Sequence, residues 1–494
     1  MKNAEHFDVL IIGGGPAGSC AALRLLALGY RVGLVEQQIF PRHQIGESLS
    51  AGIRNIFEYL DADHLLELHG YLHALPAQVI WEKAGERNME FRQSGGGIMV
   101  DRGKLDHDML RLAVSRGMCL FQPAKPEYFH REYDHWKVII RENGEQKELH
   151  ALFIIDARGR SGLRTVDKII TAPAMVALYA NTDSAVMPRS TLVEAQQSGW
   201  LWGAPLPEGK FRIMIFSAPE DLKKKNPEQL FINRLSSSVL FAEGLQKLDF
   251  STIKSCSVVN YSHHQPWEEN YIRVGEAAFT LDPLSSTGVE KAMRFSLQTV
   301  IAINTVLKTR NIELARNFYE DHMARSVIRH LEWTAGYYER AWPKSSTRFW
   351  KERSKFSITS HATENQFYNK LMLKMEETKT EREDKIAAAT AGIGYGEDIA
   401  QLWYKKIRLS PQVTRIKAIC VEDDQLTLKN AVRHPLLEQE IAYVDNVEII
   451  PLLSHLQDTD TFGELMYSWS RDMPFEKARA IMIRLCDLGV MELS

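Results

Sequence analysis

Three glycines near the N-terminus have the spacing of a cradle for a dinucleotide pyrophosphate. They form the pattern Gly13-x-Gly15-x-x-Gly18. Gly13 permits a tight turn, Gly15 keeps a Cβ out of the path of a pyrophosphate, and Gly18 lets a helix pack close to a strand. Pro16 and Ala17 would open a helix whose free N–H groups and positive dipole end face the phosphates.

The flanking residues supply the elements that such a cradle needs. An apolar run over 7–12 predicts a buried parallel strand, 19–28 predicts a helix, and 31–36 predicts a second strand. Glu36 ends that second strand, where a carboxylate can accept hydrogen bonds from ribose hydroxyls. The sequence therefore predicts a dinucleotide-binding βαβ unit, and the motif alone leaves FAD and NAD open.

Later segments favour FAD through their order and spacing behind the glycine motif, although each alone is an ordinary strand end or turn. The first is 41–49, which contains Arg42 and Ser48, and the second is a helix start at Arg102. Two strand ends follow, one with Asp156 and Gly159 and one with Gly275 and Glu276, and the last segment is 282–289.

Together these segments resemble the single-component-fold flavin monooxygenases and their relatives, the flavin-dependent halogenases, over about residues 5–360. The resemblance implies that Glu276 takes the place of the aspartate that binds the ribityl chain. It also implies that 282–289 starts a helix whose N-terminus faces the flavin pyrimidine ring and stabilises negative charge there. The predicted FAD contacts are Gly13, Gly15, Pro16, Ala17, Gly18, Glu36, Arg42, Ser48, Arg102, Asp156, Gly159, Gly275, Glu276, Pro283, Ser286, Thr287, Gly288 and Val289.

The resemblance implies an α/β fold in which a Rossmann-like FAD-binding domain is interleaved with an antiparallel-sheet substrate domain. A helical region and a small C-terminal α+β, winged-helix-like domain would follow, with a glycine-rich break at 392–396 as the clearest boundary. The predicted ranges are 1–75, 100–170 and 255–330 for the FAD domain, 76–99 and 171–254 for the substrate domain, 331–397 for the helical region and 398–494 for the last domain.

Two tryptophans mark the predicted substrate side. The pattern Trp200-x-Trp202-x-x-Pro205 resembles the halogenase Trp-x-Trp-x-Ile-Pro signature, with Ala204 in place of isoleucine. Residues two apart on a strand share a face, so simple packing under a neighbouring domain also explains the pair.

Two departures from the halogenase pattern favour hydroxylation. Halogenases need a lysine between flavin and substrate, but the matching stretch 69–81 contains none, and Lys83 follows it. Indole halogenases also place a glutamate where this chain has Ser285. The alternatives are a halogenase of a phenol or indole, a flavin reductase of prenyl chains that shares the glycine motif, and a non-catalytic flavin-bearing chaperone.

Hydroxylation through a C4a-hydroperoxyflavin, as the resemblance implies, asks the protein mainly to exclude water and orient an electron-rich ring. Candidate proton-handling residues are His43, Glu47 and His73, each of which also has an ordinary structural interpretation. The reaction would use FAD, O2 and electrons from NAD(P)H, or reduced flavin from a partner reductase.

The C-terminal stretch predicts a helix after 458–461, a second helix over 475–485 and a final strand. This order resembles a winged-helix unit, but its second helix has few basic residues and the chain has a formal net charge of -3, so nucleic acid is not an expected partner. Similar units in peptide-modifying enzymes hold their substrate by strand addition. The combination resembles the flavoproteins of tryptophylquinone cofactor biogenesis and implies a protein or peptide substrate that carries the target tryptophan.

The bulk composition, 45% hydrophobic and 25% charged, is typical of a soluble globular protein. No apolar run reaches the ~20 residues that cross a bilayer, and the first residues lack a signal-peptide layout, so a cytoplasmic protein without a membrane partner is expected. The five cysteines are scattered, and His263-His264 is a histidine pair without a complementary motif nearby. The sequence therefore predicts no metal site.

Overall fold

The computed structural model describes residues 5–84, 88–90, 96–161, 163–224, 226–343, 347–355, 358–360, 365–389, 402–457 and 460–493. The chain divides into two compact units, Met1–Ile303 with Tyr319–Leu371, and Asn304–Phe318 with Met372–Ser494. The predicted break at 392–396 lies outside the described residues, and the finer domain boundaries stay a prediction.

The strands described in the first unit are β1 (Glu5–Ile12), β2 (Val32–Val35), β3 (Ser48–Leu49), β4 (Leu72–His73), β5 (Ala77–Ile80), β6 (Asn88–Glu90), β7 (Ile98–Met99), β8 (Cys119–Phe121), β9 (Ala124–Glu132), β10 (His135–Glu142), β11 (Glu145–Asp156), β12 (Lys168–Ile170), β13 (Met175–Asp183), β14 (Thr191–Gln196), β15 (Gly199–Pro205), β16 (Lys210–Ser217), β17 (Asp249–Val258), β18 (Tyr261–His263), β19 (Trp267–Glu268), β20 (Tyr271–Arg273) and β21 (Phe279–Thr280). The second unit contains β22 (Ile407–Leu409), β23 (Thr414–Glu422), β24 (Gln425–Arg433), β25 (Tyr443–Val444), β26 (Val447–Glu448) and β27 (Met491–Leu493).

The described α-helices are α1 (Pro16–Ala27), α2 (Ile53–Tyr59), α3 (Arg102–Ser115), α4 (Pro219–Lys224), α5 (Pro227–Ser236), α6 (Gly288–Thr309), α7 (Ile312–Arg340), α8 (Arg348–Arg353), α9 (Gln366–Ala389), α10 (Ile449–Ser454), α11 (Phe462–Trp469) and α12 (Phe475–Asp487). Among them, none combines the length and apolar character that crossing a bilayer requires.

The first sheet has β1 near its centre and is mainly parallel. Its main order is β19-β20-β11-β1-β2-β8, and β1 pairs in parallel with both β2 and β11. The sheet also includes β10, which pairs antiparallel with β11, and β9, which pairs antiparallel with β10. In this register Ile12 lies opposite Val35 on one side and Asp156 on the other. The carboxyl ends of three strands therefore meet at one edge, which is where open α/β sheets bind ligands.

The second sheet, β17-β13-β16-β15-β14-β5-β6, is antiparallel except where β14 and β5 run parallel. Its strands alternate side chains between two faces. Leu201, Ile213 and Ile215 lie on the face that packs against α5, whereas Trp200 and Phe216 belong to an aromatic cluster on the other face. The mixed α/β fold, with parallel and antiparallel sheets, confirms the predicted fold class.

The second unit has its own core, in which Met466, Trp469 and Leu485 are fully buried. The predicted helices and final strand are present as α11, α12 and β27, and Thr461 and Glu464 form a capping box at the start of α11. β27 pairs antiparallel with β22. The nine-residue strands β23 and β24 form a separate two-stranded ribbon.

Candidate cofactor and substrate cavity

A cavity of about 740 Å³ opens at the carboxyl ends of β1, β2, β11 and β20, within the usual range for small-molecule sites. Gly18, Asp156 and Thr287 are not among its lining residues. The predicted residues that line it are Gly13, Gly15, Pro16, Ala17, Glu36, Arg42, Glu47, Ser48, Arg102, Gly159, Trp200, Trp202, Gly275, Glu276, Pro283, Ser286, Gly288 and Val289.

The glycine loop shows why each glycine is needed. Gly13 has a φ of +107°, and a Cβ there would lie 2.5 Å from the Ala157 carbonyl oxygen. A Cβ on Gly18 would lie 1.9 Å from the Gly13 oxygen, so Gly18 serves packing. Gly15 is different, because the nearest atom to its Cβ would be Arg42 Nη2 at 3.5 Å. The protein itself leaves room at Gly15, and that room suits an approaching ligand.

Glu36 is held in place by the backbone around the glycine loop. Its two carboxylate oxygens accept hydrogen bonds from the N–H groups of Gly14 and Gln38, each at 2.7 Å. The side chain is buried yet lines the cavity. Each oxygen keeps a further lone pair, so the carboxylate can accept from ribose hydroxyls without losing its anchors.

Asp106 is a residue that the sequence analysis missed. It is fully buried and accepts two hydrogen bonds from Arg102, at 3.0 and 3.1 Å. Arg42 Nη2 lies 3.5 Å from the same carboxylate. One acid therefore orients two cavity-lining arginines, and its i+4 spacing from Arg102 at a helix start was the available signal.

Asp156 lies behind the cavity wall in a buried polar group. Burial alone would raise the pKa of this carboxyl, but hydrogen bonds from Arg158 at 2.8 and 2.9 Å and from the Tyr271 hydroxyl at 2.8 Å lower it overall. Asp156 therefore stays ionised and positions Arg158, which lines the cavity.

Glu276, the predicted ribityl acid, lies at the cavity wall in an ion pair with Arg160, at 2.9 and 3.1 Å. Both side chains are about half exposed, at 45% for Arg160 and 49% for Glu276. A pair this exposed contributes little to stability. It can rearrange when a polar ligand needs the carboxylate.

The loop before α6 is fixed by a buried network that was not predicted. The Asp282 carboxylate accepts from the Tyr338 hydroxyl at 2.9 and 3.0 Å, and the Asp282 N–H donates to His330 Nε2 at 3.0 Å. Burial raises the pKa of Asp282 and lowers that of His330 to about 4. Ser286 follows with a φ of +52°. The network holds the helix N-terminus of α6 against the cavity.

The opposite wall of the cavity is aromatic. Trp200 stacks on Phe216 with ring centroids 3.8 Å apart and is 2% exposed. Trp202 lies beside Met214 across the strand pair and is only partly buried. Both tryptophans line the cavity. Trp200 is buried in the wall, and Trp202 has more of its surface exposed.

The three candidate proton-handling residues have different positions. Glu47 lines the cavity but forms a buried ion pair with Arg212 at 3.1 Å. His43 is exposed and lines a neighbouring cavity of about 330 Å³ instead. His73 lines neither cavity, and its Nδ1 lies 2.6 Å from Arg54 Nη2.

Lys291, on α6, is the one lysine among the described residues that line the main cavity. Its Nζ donates to Ser326 Oγ at 3.0 Å, and burial lowers its pKa. Lys83, the lysine after 69–81, is exposed and is not part of the lining. The described cavity lining therefore includes a lysine, but it lies on α6 and not in 69–81, the segment that matches the position of the halogenase lysine.

The arrangement fits FAD. An open Gly15, a helix N-terminus, an anchored acid and a second helix N-terminus surround one cavity with an aromatic wall. Comparison with known proteins gives the same cofactor. The sequence profile of the tryptophan halogenase family matches residues 8–69 and 97–396.

Individual proteins are similar over different parts of the chain. Tryptophan 2-halogenase of Chondromyces crocatus is 27% identical over 376 residues, covering 71% of both chains. The structure of CmlS, a flavin-dependent halogenase, superposes with a TM-score of 0.75 at 18% identity and covers 100% of this chain and 96% of that one. The structure of QhpG, a peptidyl tryptophan dihydroxylase essential for tryptophylquinone cofactor biogenesis, gives a TM-score of 0.69 at 20% identity. It covers 98% of this chain and 100% of that one.

Proposed function

This chain belongs to the tryptophan halogenase family, a family of FAD-dependent oxidoreductases that use reduced flavin and O2, and we propose that it is a monooxygenase that hydroxylates an electron-rich aromatic ring. The observation that carries the proposal is the aromatic wall of the cavity. Trp202 and Phe216 offer aromatic ring surfaces against which an indole or phenol ring can pack, and the polarisable thioether of Met214 lines the same wall.

The residues around the cavity would divide the work of binding FAD. The open Gly15 and the start of α1 suit the pyrophosphate, Glu36 the adenosine ribose, Arg42 and Arg102 the phosphates, and the start of α6 the flavin ring. Bound FAD, once reduced, supplies the activation of O2. The chain's own side chains then hold the ring, exclude water and fix the flavin-facing loop through Asp282 and Tyr338.

Hydroxylation is favoured over halogen transfer by the position of the lysine. Lys291 donates to Ser326 on the neighbouring helix α7, and none of the described residues over 69–81 places a lysine at the aromatic wall. The lysine of the described cavity lining is therefore already hydrogen-bonded to Ser326. A ring oriented against an aromatic wall suffices for hydroxylation.

We infer further that the ring belongs to a tryptophan in a protein or peptide. The support is that QhpG, a peptidyl tryptophan dihydroxylase, shares the fold over 98% of this chain, although the halogenase CmlS shares it over 100%. The ribbon of β23 and β24 offers an edge to which an extended peptide could add a strand.

The test uses the full-length, FAD-loaded protein with a flavin reductase, NADH and O2. Peptides and unmodified amine dehydrogenase subunits that contain tryptophan are incubated and examined by mass spectrometry. A gain of one or two oxygen atoms on one tryptophan supports the proposal. Oxygen consumption that yields only hydrogen peroxide with every such substrate contradicts it.

A halogenase of a phenol or indole is the second candidate, favoured by the Trp200-x-Trp202-x-x-Pro205 pattern and the family match. The same reactions are run with chloride or bromide and with free indoles and phenols. A halogen isotope pattern in the product would establish this activity. In that case Lys291→Met would test whether the lysine that lines the described cavity is needed for halogen transfer.

A further inference from the structure

A group of two histidines and a glutamate lies on the first sheet, apart from the cavity. One ligand atom from each of Glu132, His135 and His150 lies within 4.8 Å of the others. Glu132 pairs with His135 across the β9–β10 turn, and His150 of β11 pairs with Lys137, two residues along β10 from His135. Because residues two apart share a face, the pairing of three strands brings the three side chains together.

His150 has one ring nitrogen occupied and one bare. Its Nε2 lies 2.9 Å from Glu148 Oε1, which fixes that nitrogen as the N–H donor. Its Nδ1 is buried and has no hydrogen-bond partner in the part of the chain that the structure describes. The side chain is 11% exposed. A buried imidazole nitrogen with a free lone pair is costly unless something accepts that lone pair.

His135 repeats the arrangement. Its Nδ1 lies 3.2 Å from Asp134 Oδ1, and its Nε2 lies 3.6 Å from Glu132 Oε2. That second distance is too long for a hydrogen bond. It matches the roughly 3.3–3.6 Å between two ligand atoms that each lie about 2.0–2.2 Å from a tetrahedral ion. Carboxylates on the outer nitrogens of metal-binding histidines are the usual second partners.

The charges around the group favour a cation. Glu132, Asp134 and Glu148 surround the two imidazoles, Lys137 lies 2.7 Å from Glu148, and Arg131 pairs with Glu269 at 3.3 Å. The ring of His6 stacks on that of His150, with centroids 4.9 Å apart. The site thus offers three ligands and leaves one position to water.

A second group, Asp167, His263 and His264, meets the same distance limit but lacks these features. Asp167 is paired with Arg164 at 3.0 Å, and His263 Nδ1 already accepts from the Gln265 N–H at 2.9 Å. A cation has less reason to bind there.

We propose that Glu132, His135 and His150 bind one divalent transition-metal ion, with Zn²⁺ the ion that this set of ligands suits. Two imidazoles and one carboxylate are typical zinc ligands, and here the ligand atoms of His135 and Glu132 lie 3.6 Å apart, with all three ligand atoms within 4.8 Å of one another. The ion would tie together β9, β10 and β11. It would stabilise the sheet without touching the cavity, because none of the three residues lines it.

The test uses tag-free, FAD-loaded, full-length protein that has been treated with a chelator. ZnCl2 is titrated by calorimetry, and CoCl2 is added separately because four-coordinate Co²⁺ has strong visible absorption. We expect one ion per chain and a rise of Tm with Zn²⁺ concentration. His150→Gln and His135→Gln should abolish binding, and Glu148→Gln should weaken it by about tenfold or more.

His130→Ala is the matched control, because His130 pairs with Lys137 on the same sheet but is outside the group. FAD content, measured by flavin absorbance, reports that each variant is folded. The proposal stands if His130→Ala binds Zn²⁺ like the unsubstituted protein and the two glutamine variants do not. The proposal is overturned if the unsubstituted protein does not bind Zn²⁺, or if the glutamine variants bind it as tightly as the unsubstituted protein. Loss of Zn²⁺ binding in His130→Ala would overturn it as well.

Discussion

The Glu47 carboxylate lies 3.1 Å from Arg212 Nη2, and both side chains are buried, at 7% and 5% exposure. Glu47 follows the second strand of the first sheet, whereas Arg212 is on β16 of the second sheet. Arg212 Nε has no hydrogen-bond partner among the described residues, and its guanidinium lies 5.0 Å over the Tyr179 ring. The pair therefore supplies most of the compensation for a buried charge between the two sheets.

Glu47→Gln should destabilise the protein because it leaves the Arg212 charge buried without a counter-charge. The expected loss in the free energy of unfolding is about 3–5 kcal/mol, measured by chemical denaturation. Lys247→Ala is the control, since it removes an exposed pair with Asp183 that is worth about 1 kcal/mol or less. Equal effects of the two substitutions would contradict the role given to the buried pair.

Gly15→Ala and Gly18→Ala should separate ligand binding from folding. Gly15 has a φ of -71° and room for a Cβ, so alanine should keep or raise stability by about 0.4–1 kcal/mol while weakening FAD binding about tenfold or more. Gly18→Ala forces a Cβ to 1.9 Å from the Gly13 oxygen and should lower stability by about 1–3 kcal/mol or more. Thermal unfolding of the FAD-free protein and flavin fluorescence titration measure the two effects. Normal FAD affinity in Gly15→Ala would contradict the cradle.

The two tryptophans of the wall should also differ. Trp200→Ala removes a fully buried ring stacked on Phe216 and should cost about 3–5 kcal/mol of stability. Trp202→Ala should leave Tm close to that of the unsubstituted protein but reduce kcat/KM for the aromatic substrate about tenfold. A change in FAD release without a change in substrate turnover would show that Trp202 does not contact the ring.

His330 should make stability depend on pH. Burial and, after it, the charge of Lys291 lower the pKa of this imidazole from 6.5 to about 4. Its Nε2 accepts a hydrogen bond from the Asp282 N–H. The unfolded chain therefore binds more protons than the folded chain between these values, so stability falls as the pH decreases from about 6.5 to 4. The raised pKa of Asp282 acts in the opposite direction.

His330→Gln keeps a hydrogen-bond acceptor but cannot titrate, and it isolates the contribution of this histidine. We expect a shallower decrease of Tm between pH 6.5 and pH 4 than in the unsubstituted protein. His64→Gln, at an exposed position, should leave the decrease unchanged. If the slope of His330→Gln equals that of the unsubstituted protein, the histidine does not control stability in this range.

Local sequence was sufficient for the elements whose contacts are short-range. The strand, glycine turn and helix around Gly13, Gly15 and Gly18 follow from backbone geometry within a few residues, and the period of two along a strand places Trp200 and Trp202 on one face. The family resemblance added the later segments, and the FAD prediction is confirmed by the family match.

Tertiary structure decided which distant side chains meet. Asp106 binding two arginines, Glu47 facing Arg212, and His73 lying away from the cavity depend on how loops and sheets pack. Glu132, His135 and His150 likewise converge only because β9, β10 and β11 pair in a particular register. A single sequence can indicate a strand, as it does over 7–12 and 31–36, but not its partner or register, because those are fixed by burial of the whole sheet. The sequence therefore determined the glycine loop with its strand and helix, and the fold determined which charged side chains and histidines lie together.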